Sequence, residues 1–181
     1  MKNPLEAWHI DHAYFYRLLA LLQKEVDGFH FGAQPNYELM LDIIGYLRDY
    51  SDQIHHPAED VAFARLARHC PDMELSLSRL NQEHRVIAQA GETLRQYLNA
   101  VQNDVIVPKA QIEIAAATYL VYYIHHIAKE EEDVLPRAAK FLTPADWEAV
   151  ASAAPQGRDP LFGGAEEERY KVLRRRIALE S

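Results

Sequence analysis

The sequence predicts an all-α fold: an up-down-up-down antiparallel four-helix bundle with a C-terminal helical extension. Three observations predict it. Four long segments repeat apolar residues at alternating three- and four-residue spacings, the connections between them are short, and the character of the chain changes after residue 142. Residues 1–142 are therefore assigned to the bundle and residues 143–181 to an extension packed on it.

The first helix follows Asn3-Pro4, a capping residue with proline at the first helical position. Its stripe runs Leu5, Trp8, His12, Phe15, Leu19, Leu22 and Val26, and it ends near Gly28. The second covers about Tyr37 to Arg68, with Met40, Ile43, Ile44, Leu47, Ile54, Ala62 and Leu66 in its stripe. Pro57 lies inside it and should kink or interrupt it. The third, about Met73 to Val101, aligns Leu77, Leu80, His84, Ile87, Gly91, Leu94 and Leu98. The fourth starts after Pro108, reaches about Phe141, and aligns Ile112, Ala116, Tyr119, Tyr123, His126, Glu130 and Asp133. In the tail, Thr143-Pro144-Ala145-Asp146 starts a short capped helix carrying Trp147. A Gly/Pro stretch follows, and Ala165 to Leu179 reads as an amphipathic helix packed on the outside.

Composition narrows the function. The 181 residues are 49% hydrophobic and 25% charged, enough to bury a core, and the net charge of −8 argues against nucleic acid as a partner. The run Arg174-Arg175-Arg176 reads as a solvated face. A lone Cys70 can form neither an internal disulfide nor a thiolate zinc site, which suits the cytoplasm. The first residues lack the apolar core of a signal peptide. The uncharged stretch from Ile114 to Ile124 is too short to span a bilayer, so no membrane partner is expected.

The informative residues are polar ones standing where a core stripe demands apolar ones. His12, His84 and His126 each interrupt such a stripe, and Glu130 follows His126 by one turn. On the second helix His55 and Glu59 repeat the four-residue spacing, which places both on one side. A buried carboxylate is costly unless paired or bound to a metal. Imidazoles and carboxylates delivered by separate helices to one point suit a metal pair, and the lack of thiolates favours Fe, Mn or Zn.

These motifs resemble those of the hemerythrin-like HHE cation-binding domains. The likeness covers residues 5–141 and rests on His9-Ile10-Asp11-His12, on His55-His56-Pro57-Ala58-Glu59-Asp60, on Asn81-Gln82-Glu83-His84, and on His126-Ile127-Ala128-Lys129-Glu130-Glu131, in order and on separate helices. The resemblance implies two non-haem iron ions held by His12, His55, Glu59, His84, His126 and Glu130, with Glu59 and Glu130 bridging. The family's oxygen carriers place two histidines one turn apart on the third helix. Here Leu80 and Ala88 fill the positions one turn from His84. One iron is then short of a protein ligand and open to water or small ligands, which disfavours reversible oxygen carriage; the alternative is that a tyrosine or His9 fills the gap and closes the site.

His55 rather than His56 is the expected second-helix ligand, because His56 lies about 100° further round an α-helix. His56 and His125 are assigned to places beside the ligands or on the surface, His9 to the surface, and His30 and His69 to loops. Glu131 to Asp133 read mostly as a solvated face, Cys70 as a packing residue, and Tyr119, Tyr122 and Tyr123 as core aromatics. The leading expectation is a protein that binds or senses O2, nitric oxide, peroxide or iron. A peroxidase-like or oxidase-like di-iron enzyme ranks second, and a structural bundle holding zinc or no metal third.

Overall fold

A computed structural model describes residues 4–155, 157–161 and 170–179. All regular structure among them is helical, with no strand. Helix α1 spans Pro4–His30, and α2 spans Tyr37–Tyr46. A π-helical turn, Leu47–His55, joins α2 without a break to α3, His56–His69. A 3-10 turn at Pro71–Met73 leads into α4, Glu74–Gln102, followed by α5, Lys109–Lys129. A second π-helical segment, Glu130–Val134, runs on into α6, Leu135–Phe141. Helices α7, Pro144–Ala153, and α8, Lys171–Leu179, form the tail. The Asn3 cap and residues 165–169 of the expected last helix lie outside the described residues. Among those residues no helix is long and apolar enough to cross a membrane.

Two apolar clusters make the core. One gathers Phe15 to Val26, Leu39 to Leu47, Ile87 to Leu98 and Ile112 to Ile127. The other gathers Leu5 and Trp8, Ala62 to Cys70, Met73 to Leu80, and Val134 to Leu142. Each full-length segment crosses from one cluster to the other, and successive segments cross in opposite senses. The seam between the clusters falls at His12, at Ser51 to Glu59, at His84 and at Glu130. Apolar burial at roughly 1.5–3 kcal/mol per large side chain therefore fixes the helices on both sides of a polar layer that could not hold itself together.

Proline shapes that layer. Pro57 has no N–H to give the carbonyl four residues back, and its ring crowds that carbonyl. The backbone responds with a wider turn, in which the His56 N–H bonds to the Ser51 carbonyl, five residues back. Pro136 stands in the same relation to the second π segment, where the Leu135 N–H reaches the Glu130 carbonyl. Pro57 thus widens the helix rather than breaking it. The widening also shifts the buried stripe by one residue. Asp133, expected in the stripe, is exposed, and Val134 is buried in its place.

The tail docks on the bundle. Thr143 and Asp146 form a reciprocal capping box at the start of α7. Trp147 packs edge-on against Trp8 at 5.7 Å, and His69, expected in a loop, ends α3 and donates to Asp146 at 2.9 Å. Tyr170, Leu173 and Ile177 join the first apolar cluster, and the Tyr170 hydroxyl donates to Asp49 at 3.1 Å.

Candidate metal centre

In the polar layer, four histidines from four segments turn Nε2 toward one point, and two carboxylates lie among them. Glu59 Oε1 is 3.1 Å from His55 Nε2 and 3.4 Å from His12 Nε2, while its Oε2 is 3.6 Å from His84 Nε2. Glu130 mirrors this. Its Oε1 is 3.0 Å from His126 Nε2 and 3.6 Å from His84 Nε2, and its Oε2 is 3.4 Å from His12 Nε2. Each carboxylate therefore offers one oxygen to the His12 side and the other to the His84 side. All six residues are buried, with Glu59 0% and Glu130 1% exposed.

The outward face of each ring is tied to a carboxylate. His55 Nδ1 donates to Asp11 at 3.0 Å, and His84 Nδ1 to Asp60 at 2.8 Å. His126 Nδ1 donates to Glu83 at 3.2 Å, and His12 Nδ1 to Glu131 at 2.6 Å. The pattern is cyclic. Each acid is the sequence neighbour of one inward-facing residue but serves the next segment round the bundle: Asp11 beside His12, Asp60 beside Glu59, Glu83 beside His84, Glu131 beside Glu130. An ionised carboxylate only accepts, so each fixes the tautomer that leaves Nε2 as the lone-pair donor. The quoted motifs contained these acids, but one-dimensional spacing could not show which ring each would meet. Glu131, grouped with a solvated acidic face, also accepts from His9 Nδ1 at 2.6 Å. His9 is otherwise half exposed, and His125 is exposed.

Of the two places expected for His56, beside the ligands or on the surface, it takes the first: it is buried, and its ring stacks on His84 at 4.1 Å with a 9° tilt. It belongs with Glu59, His84 and His126 to a group whose ligand atoms lie within 4.8 Å of one another, while His12, His55 and Glu59 form a second group. Glu59 is common to both. The π segment before Pro57 adds a residue to the turn, so His55 and His56 are both buried. Burial pushes the Tyr119 and Tyr123 hydroxyls well above their usual range, and Tyr122 is 43% exposed. Tyr123 donates to Ser51 Oγ at 2.5 Å, and Ser51 lies 3.1 Å from His56 Nε2.

The donor set fits cations. Both oxygens of Glu59, both of Glu130, His84 Nε2 and His126 Nε2 are buried without a hydrogen-bond partner. A buried carboxylate left without compensation costs several kcal/mol. Two ligands set at right angles about 2.1 Å from one ion stand about 3 Å apart, close to the spacings found here. Charge says the same. Burial by itself drives the His12 pKa down, but the Glu131 carboxylate hydrogen-bonded to Nδ1 and the Glu59 carboxylate beside Nε2 outweigh it and hold it up at about 10. His126 is likewise opposed by burial and raised to about 10 by Glu130, and His55 to about 9 by Glu59 and Asp11. Burial works to raise the Glu59 pKa, but His55 and His12 carry it well below the usual range. The pocket demands positive charge, and protons or metal ions can supply it. His56 is the exception. Burial, then the neighbouring His84 and His126, push its pKa well down, so it stays neutral and able to ligate.

The model of the hemerythrin HHE cation-binding domain matches residues 3–138. The chain belongs to this family. Comparison with curated proteins and with solved structures gave no significant match. As a hemerythrin-type domain the chain has a helical fold and a His/Glu cluster suited to binding metal cations.

Proposed function

We propose that this domain binds two non-haem iron ions bridged by Glu59 and Glu130, with His12 and His55 on one ion and His84, His126 and His56 on the other. The observation that carries the reading is the way each buried carboxylate divides its oxygens between two sets of imidazoles. We further infer an up-down-up-down four-helix arrangement over residues 1–142, with 143–181 as an extension. The alternating passage of successive segments between the two apolar clusters supports it.

A ferrous pair held there supplies chemistry toward O2, peroxide or nitric oxide, and we assign the protein to binding or sensing such a ligand, or iron itself, in the cytoplasm. The chain's own part is to hold the rings. Four carboxylates orient four imidazoles, and the apolar clusters above and below limit water. An anaerobic metal count with an optical spectrum before and after O2 addition tests the assignment. About two irons per chain and an O2-dependent spectrum are expected. A folded, iron-supplied preparation holding one zinc or no metal would refute it.

A further inference from the structure

The candidate centre is buried, so ions must cross protein to reach it. A cavity of ≈ 420 Å³ lies between the Pro57 turn and α4. Its floor is His56 and His84, its walls include Asp52, Asn81 and Ala88, and Asp60 and Arg85 stand at the rim. Exposure falls from rim to floor: the Asp60 side chain is 46% exposed and Arg85 is exposed, whereas His84 and His56 are 6% and 4% exposed. Asp52 Oδ1 and Asn81 Oδ1, on two of the wall residues, are buried without a hydrogen-bond partner.

We propose that this cavity is the port through which divalent cations pass between solvent and the metal centre. The proposal rests on the metal-binding reading above. A hydrated divalent ion sheds water only where oxygens replace it. Asp52 Oδ1 and Asn81 Oδ1 supply such oxygens on the way to His56 and His84. Arg85 is the one guanidinium among the lining residues, and its charge opposes an entering cation. A port is a shared barrier for both directions, so altering it changes uptake and release by one factor and leaves affinity alone.

The test uses metal-stripped full-length protein and Co(II), with uptake followed by visible absorption and release followed by transfer to a chelator. Ala88→Phe fills the cavity and replaces no ligand. It should slow uptake and release alike by ~10-fold, a barrier ~1.4 kcal/mol higher, at unchanged stoichiometry. Arg85→Glu reverses a charge on an exposed residue. It should speed uptake by about 3-fold at low salt, an effect that fades as salt screens the rim. Wild-type rates in both variants, or in Arg85→Glu alone if Ala88→Phe does not fold, would overturn the port. A wild-type protein that takes up no cobalt would overturn the metal-binding reading and the port with it.

Discussion

At the scale of single residues, the centre depends on groups that are expensive to bury alone. His84 and Glu130 are 6% and 1% exposed, and each has inward atoms without a hydrogen-bond partner. His84→Ala and Glu130→Ala should each lower bound iron sharply and lower the melting temperature with it, because metal bound only by the folded state stabilises that state. Cys70 packs in the second apolar cluster and belongs to neither group of candidate ligands, so Cys70→Ala should leave the iron content unchanged. Elemental analysis of the three variants decides, and full iron in both of the first two would remove them from the ligand set. His56→Ala makes a sharper test of the tertiary placement. The ion beside His84 and His126 loses a neutral imidazole, so a chelator should strip one of the two ions well before the other. If both ions still leave together, at the wild-type rate, His56 does not ligate.

At the scale of elements, packing and capping set where each helix lies. Gly91 of α4 faces Tyr119 of α5, and a Cβ there would stand 2.9 Å from Tyr119 Cε2. Helix propensity favours Gly91→Ala by up to ~1 kcal/mol, but overpacking a buried ring costs about 1–3 kcal/mol. Net destabilisation is expected in a urea titration, and a stabilised variant would mean that α4 and α5 part without cost.

Helix α7 offers a pH test. The Thr143 hydroxyl and backbone N–H, with His69, hold the Asp146 carboxyl at about 2 against an ordinary 3.8. A depressed folded-state pKa gives stability that is fully present above the unfolded value and is lost as pH falls through the folded one. The melting-temperature gap between wild type and Asp146→Asn should therefore be constant above about pH 5 and close toward pH 2. A gap that is independent of pH would show that the carboxylate charge contributes nothing.

At the scale of the whole molecule, the tail and the centre are linked through aromatic contacts. Trp147 of α7 packs on Trp8, and the Trp8 ring lies 6.2 Å from that of His55. The chain has two tryptophans, and both lie along this line. Iron loading should quench most of the tryptophan fluorescence, and Trp8→Phe should remove much of that response. Fluorescence indifferent to loading would place the metal elsewhere.

Much of this architecture is legible in the sequence because its cause is local. The three-four apolar spacing, the Thr143 capping box and the polar interruptions at His12, His84, His126 and Glu130 are each set by a few neighbouring residues, and each interruption is found buried at the seam between the clusters. The sequence alone also determined the likeness to the cation-binding family. Only the tertiary structure decided that His56 turns inward and that Asp133 gives way to Val134. Both follow from π turns whose extra residue breaks the 3.6-residue period, and periodicity cannot register a change in its own period. It alone decided, too, that Asp11, Asp60, Glu83 and Glu131 each serve a ring on the next segment. Those partners stand 24 to 119 residues apart in the chain, and what joins them is the close approach of helices held together by apolar burial above and below the site.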